Sequence, residues 1–253
     1  MYLERKKLKK RRNRMIDVKT FKTAIKKTAP FINEKLNDYK PLRGFLFHVK
    51  GNVLRIVGSD NIRLSVFATN LSKNYEDMQI VLPKSEVLNF TKSLNSTDEY
   101  VEIGNEGQIK TKNKIIQIKP LDVKYFDYLA IIPTRFKTEI KVSRSEFMDK
   151  IKKLKKMNID ELTCFVKNYT FKITGGEKVT ETINIIKTEN VQEYPFDPNV
   201  VLRFVVNLKF LLDAIEVLDG DEVTIKFNQS WKPIGLAGKN TNHLILIATR
   251  REV

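Results

Sequence analysis

Apolar residues recur at helical spacing in four short stretches and alternate in much of the text between them. In the first stretch Phe21, Ala24, Ile25 and Thr28 share one side. Asp17 stands ahead of them as a cap, and Pro30 weakens the end. "GFLFHV" and "VLRIVG" then read as strands about the turn "KGN", and "IRLSVFAT" as another strand. "QIVLP" is a strand that runs into a second helix, residues 84–94, with Val87, Leu88, Thr91 and Leu94 inward. "EYVEIG", "QIKTKN" and "KIIQIKP" close this part as a strand meander.

The second half repeats the grammar. "EIKVS" is a strand, and Ser143 with Glu146 forms a capping box that opens a helix with Phe147, Ile151 and Leu154 inward. "LTCFVKN", "YTFKITG" and "TINIIKT" are strands. "LRFVV" leads into a helix capped by Asn207, with Leu208, Leu211, Leu212 and Ile215 on its apolar side. "DEVTIKF", "KPIGLAG" and "HLILIATR" finish the chain. The paired helices lie about 125 residues apart in both cases, a spacing that predicts an internal duplication. The expected layout is a basic arm over residues 1–14, one domain over 15–135 and another over 136–253, divided near "PTRFKTE". Each is expected to be α+β, with two helices covering one face of an antiparallel sheet.

Apolar residues make up 42% of the 253, enough for a core in each half. The net charge of +16 points to a polyanionic partner, nucleic acid before an anionic membrane surface; a solubilising surface is the plain alternative. The arm holds eight Lys/Arg against one Glu, so it carries +7 and leaves +9 on the body. It reads as a DNA tether, or equally as a solubilising tail. Lys19, Lys22, Lys26 and Lys27 fall on the polar side of the first helix, and Lys150, Lys152, Lys153, Lys155 and Lys156 crowd the third. Such faces bind phosphates without reading bases. No aromatic stripe interleaves with these lysines, which favours a duplex over a single strand.

The lone Cys164 excludes an intrachain disulfide and reads as a small buried hydrophobe; His48 and His243 lack neighbours at zinc-ligand spacing. No Walker loop, dinucleotide fingerprint, nucleophile elbow or zincin motif is present. "TGGEKVT" reads as a hairpin turn, and Asp60 and Asp219 as turn residues. These features exclude an evident enzyme, and no cofactor is implied. No apolar run reaches the roughly 20 residues that span a bilayer, and no apolar stretch follows the basic start as a signal peptide requires.

In order and spacing, "PLRGFLFHVKGNVLRIVGSDNIRLSV", "YFDYLAIIP", "VNLKFLLDAIEVLDGDEVTIKF" and the end "HLILIATRR" resemble the bacterial sliding clamp, the beta subunit of DNA polymerase III. The likeness runs from about Ile16 to the C-terminus and covers the second and third domains of that three-domain protein. It implies two tandem DNA-clamp domains that assemble into a six-domain ring around double-stranded DNA. With two domains per chain, it implies a homotrimer. The implied partners are DNA polymerase and a clamp loader, in a cytoplasmic, nucleoid-associated setting. The implied DNA-facing residues are Lys19, Lys22, Lys26, Lys27, Lys150, Lys152, Lys153 and Lys156.

The resemblance also implies a groove for partner peptides. Matched by motif, its residues are Leu42, Ser59, Arg63, Leu64, Phe126, Ile131, Phe210, Pro233, Leu246, Ala248 and Arg250. Ordinary core packing is the alternative for each apolar one. Three positions depart from the family pattern: Ile62 replaces the turn histidine, the linker proline is missing at Tyr125-Phe126, and Ala248-Thr249-Arg250 replaces the terminal Met-Pro-Met text. These departures and the basic body point to a different peptide, from a phage, plasmid or organellar replicase. The rival expectation is an accessory DNA-binding protein or transcription coactivator that uses clamp domains without closing a ring.

Overall fold

The computed structural model describes residues 14–35, 39–167, 170–176, 179–190, 202–228 and 232–250; the expected basic arm lies outside them apart from Arg14. The chain forms two compact units, one of Met1–Val57 with Ala68–Tyr125, the other of Gly58–Phe67 with Phe126–Val253. Among the described residues no helix is long and apolar enough to cross a membrane.

In the first unit, β1 (Arg14–Asp17) leads directly into α1 (Val18–Thr28). The Asp17 carboxylate accepts the Thr20 N–H at 2.8 Å, which satisfies one of the free donors of the first turn. Phe21, Ala24, Ile25 and Thr28 are buried as their spacing predicts. Phe21 stacks on Phe47 at 6.3 Å and meets Phe90 edge-on at 5.9 Å. The helix yields to a 3-10 turn, Ala29–Phe31, where Pro30 has no N–H to continue it.

Strand β2 (Gly44–Ser59) runs through the expected turn without a break. Only Gly51, at φ +61°, keeps a turn-like backbone there. Strand β3 (Arg63–Pro83) likewise joins two stretches that the sequence divides, and it ends at α2 (Lys84–Ser93). On α2 the buried residues are Val87 and Phe90. Leu88 and Thr91, expected inward, are half-buried, because the Phe90 ring takes the place against Phe21. Strands β4 (Tyr100–Ile103), β5 (Gln108–Lys110) and β6 (Ile115–Gln117) complete an antiparallel sheet of order β1-β4-β5-β6.

The second unit contains β7 (Thr138–Ser143), α3 (Arg144–Lys156), β8 (Glu161–Lys167), β9 (Thr170–Gly175) and β10 (Val179–Asn190). They are followed by β11 (Leu202–Asn207), α4 (Leu208–Val217), β12 (Glu222–Phe227), β13 (Ile234–Ala237) and β14 (His243–Ile247). The strands lie in the order β11-β8-β9-β10-β7-β12-β13-β14, and residues 63–67 of β3 pair along the outer side of β14. Ser143 caps α3 through the Glu146 N–H at 3.3 Å. The reciprocal half of the expected capping box is spent elsewhere: the Glu146 carboxylate pairs with Lys150 at 3.2 Å and accepts from Asn184 Nδ2 at 3.4 Å. Asn207 caps α4 through the Phe210 N–H at 3.1 Å.

The two helix pairs are tied alike. In the first unit Lys22 Nζ donates to the Leu94 carbonyl at the end of α2, at 2.9 Å. In the second, Arg144 donates to the carbonyls of Ile215 at 3.0 Å and Glu216 at 3.1 Å at the end of α4. Each cation satisfies acceptors that a helix leaves open and meets the negative end of its dipole. Cys164 is wholly buried, and burial raises its thiol well above the ordinary range, so it stays protonated.

His48 on β2 is buried, and its pKa is held below 6.5 by burial first and then by the charge of Arg55, with Asp77 opposing. A folded-state pKa below the unfolded value gives stability that is present above pH 6.5 and lost as pH falls through the folded value. His48→Gln should therefore lose less stability than wild type between about pH 7 and pH 5. Urea midpoints at the two pH values test this, and equal losses in both proteins refute it.

Candidate partner-binding site and cationic helix faces

The turn that joins β2 to β3 is built by its own side chains. Ser59 Oγ donates to the Arg63 carbonyl at 2.7 Å and accepts the Asn61 N–H at 3.2 Å. Asp60 Oδ1 accepts the N–H groups of Ile62 at 3.1 Å and Arg63 at 2.7 Å. Asn61 takes φ +75°, a conformation that asparagine tolerates better than most residues. Asp60 is thus a turn residue, as expected.

The turn delivers Arg63 to α4. Its guanidinium donates through Nε to Asp60 Oδ2 at 2.8 Å and through Nη1 to Asp213 Oδ2 at 2.9 Å, and it lies 4.3 Å from the Phe210 ring centroid. Lys209 Nζ shares the Asp213 oxygen at 2.6 Å. Arg63 is only 6% exposed. The planar fork meets two carboxylates while an aromatic face covers it, an arrangement that lysine cannot reproduce. Arg63 is therefore a structural clamp between the turn and α4.

Leu64 pairs with Leu246 across β3 and β14, and both are buried. The next contact leaves an apolar step at the surface: the Ala248 N–H donates to the Ile62 carbonyl at 3.0 Å, Ala248 is exposed, and Ile62 is 44% exposed. Phe210 is half-buried beside Arg63. Arg250 pairs with Glu161, and its N–H donates to the Val205 carbonyl at 2.9 Å. The structure thus brings Ser59, Arg63, Leu64, Phe210, Leu246 and Ala248 into one neighbourhood. Phe126 and Pro233 are half-buried and Ile131 is exposed in the same unit. Leu42 is buried in the first unit. Sequence reasoning missed Asp213, which carries the arginine from 150 residues away, and the exposed Ile62. The signal for Asp213 was its place on α4, three residues after Phe210.

The cationic faces divide by partner. Lys19, Lys26, Lys152 and Lys156 are exposed, as is Lys155. Lys22 is half-buried on the Leu94 carbonyl, Lys150 reaches both Glu146 and the Thr182 carbonyl, and Lys153 pairs with Glu181 at 2.6 Å. Lys27 corrects the expectation: it is 6% exposed, because three residues after buried Ala24 it turns into the inner half of α1. Among the described residues, no group of three or more His, Cys, Asp or Glu could hold a metal ion.

A strand-helix-strands unit that occurs twice, with basic helices and an apolar step beside α4, is the architecture of a DNA-clamp protein. The family model for the DNA polymerase III beta subunit, central domain, matches residues 15–127, and that for its C-terminal domain matches 129–247. The chain belongs to the DNA polymerase III beta-subunit family. Relatives named "Beta sliding clamp" include those of Helicobacter pylori strain J99, 28% identical over 83% of this chain, and Mycoplasma capricolum, 27% identical over 87%. This chain spans 56% and 60% of those two proteins. The Bacillus subtilis DNA polymerase sliding clamp superposes with a TM-score of 0.83 at 22% identity, over 97% of this chain and 66% of that one. The beta subunit of Thermotoga maritima DNA polymerase III gives 0.81 at 20%, over 95% and 66%. These superpositions establish the fold of two tandem clamp domains.

Among the described residues, removing Arg63 takes the only side-chain cation from Asp60 and leaves Asp213 with Lys209 alone, in a part-buried site. Arg63→Ala is expected to destabilise the second unit by about 3 kcal/mol. Arg250→Ala, with its partner at the surface, should change it by under about 0.5 kcal/mol. Chemical denaturation of the two variants tests the contrast, and equal losses would contradict the clamp role of Arg63.

Proposed function

We propose that this chain is a non-catalytic DNA sliding clamp, a polymerase processivity factor of the cytoplasm. Three copies, each giving two such modules, make a six-module ring around duplex DNA. The observation that carries the reading is the pair of consecutive clamp modules matched over residues 15–127 and 129–247. The names of the relatives, "Beta sliding clamp", support it.

In this reading the exposed lysines of α1 and α3 meet the phosphate backbone. Lys26, Lys155 and Lys156 lie at helix C-terminal turns, where the dipole already favours cations. Contacts to phosphate carry no base information, so the ring stays on by enclosure and slides because nothing fixes its register. The polymerase and the clamp loader bind the apolar step at Ile62 and Ala248 beside Phe210, where a short peptide places apolar anchors.

Light scattering should give three times the 29.5 kDa chain mass. Once loaded, the protein should remain on a nicked circle in high salt and leave the same DNA when it is linearised. Loss from both at the same rate overturns enclosure.

Leu64 and Leu246 are buried in a strand pair, so the peptide site is better tested at the surface. Ile62→Asp with Ala248→Asp should weaken binding of a polymerase-derived peptide at least tenfold, about 1.4 kcal/mol, and leave the mass unchanged. Unchanged peptide affinity would move the site elsewhere.

A further inference from the structure

The part of the second unit's sheet that runs β11-β8-β9-β10 has two faces of opposite character. Side chains alternate along each strand, so the registers sort them between the faces. Phe204, Cys164 and Ile173 stand in line on one face, with Val166, Phe171 and Ile183 in a second line. All six are buried, and Phe171 meets Phe147 of α3 edge-on at 5.4 Å, so this face carries the helix.

On the other face Arg203, Phe165, Lys172 and Thr182 stand in line, one from each strand. Arg203, Lys172 and Thr182 are exposed and Phe165 is half-buried. Adjacent strands lie about 4.8 Å apart, so this line is about 14 Å long. Thr163, Thr174 and Thr180 form a parallel line, with the hydroxyls of Thr174 and Thr180 3.1 Å apart. Neither line contains a carboxylate. Phe165 lies between two cations: the Arg203 guanidinium is 5.0 Å from its ring centroid, and Lys172 is its neighbour on β9. Elsewhere in the same unit a similar pairing is neutralised internally, because Lys226 lies by the Phe136 ring and is held by Glu139. Lys172 has no such acid among the described residues.

An occupant of this face must offer a flat π surface to Phe165 and negative charge on either side of it. A single strand of nucleic acid does both, through its bases and the phosphates that flank them. A duplex keeps its base faces stacked inside, and an acidic peptide brings charge without a ring to stack. We propose that the helix-free face of β11-β8-β9-β10 is a stacking platform for single-stranded nucleic acid. A base lies on Phe165, phosphates meet Arg203 and Lys172, and the threonine hydroxyls reach sugar or base edges. The platform is separate from the helix lysines assigned to duplex and does not depend on the ring.

Fluorescence anisotropy tests it with oligothymidylate and oligouridylate of about 12 nucleotides and a duplex of the same length. The triple variant Phe165→Thr, Lys172→Gln, Arg203→Gln should bind both single strands at least tenfold more weakly and the duplex within twofold of wild type, with its thermal transition retained. Its log–log salt slope for single strands should fall by about 1.4, or about 0.7 for each cation removed. Phe165→Tyr should keep single-strand binding, and Phe165→Leu should lose about fivefold or more. Lys152→Gln with Lys156→Gln on α3 should leave single-strand binding within twofold. Tighter binding of oligouridylate would assign the threonine hydroxyls to the ribose 2′-hydroxyl, and equal binding would assign recognition to base and phosphate. Single strands that bind the triple variant as well as wild type, or that are lost equally in the α3 variant, overturn the platform. Polyglutamate that loses tenfold in the triple variant, with Phe165→Leu harmless to both ligands, overturns it in favour of an acidic peptide. Oligomeric mass and retention on circles judge the ring separately.

Discussion

An open sheet edge is a row of unpaired N–H and C=O groups, and the way this chain covers one of them determines the rest of its second unit. β14 ends the run of strands that starts at β11, and residues 63–67, from early in the sequence, cover its outer side. That pairing fixes where the preceding turn lies. Because Ile247 faces Arg63, the Asp60–Arg63 fork arrives over α4, where Phe210 and Asp213 receive it. The same register places the Ala248 N–H on the Ile62 carbonyl and leaves both side chains facing solvent. The clamp on Arg63 and the apolar step are therefore products of one strand pairing, and they rise or fall with it.

Much of this was legible because it is local. Asp17, Ser143 and Asn207 cap the helices they precede, since a cap needs only the next three residues. Phe147, Ile151 and Leu154 are buried as their spacing requires, and the duplication shows as a repeated order of elements. What was not legible depends on tertiary partners. Phe90 displaces Leu88 and Thr91 from the inner face because Phe21 waits opposite it. Glu146 leaves the cap for Lys150 and Asn184, neighbours that a capping pattern does not encode. The candidate site divides the same way: the Ser59–Arg63 turn can be read from its five residues, whereas its anchor at Asp213 is 150 residues on.

The charge follows a related logic. A net charge of +16 looks like a uniform coat of lysine, but the helices use several of those cations internally. Lys22 takes a helix-end carbonyl, Lys153 takes Glu181, Lys209 takes Asp213, and Lys27 is buried. Exposed pairs of this kind add little stability, about 0–1 kcal/mol each, so their effect is chiefly on where side chains point. On α1 and α3 the ammonium groups of Lys19, Lys26, Lys152, Lys155 and Lys156 remain at the surface, on flexible stems. Such groups hold phosphate loosely and without a preferred register. The ring proposed above needs weak, interchangeable contacts on its inner surface if it is to move along DNA, and solvated lysines on flexible stems make contacts of that kind.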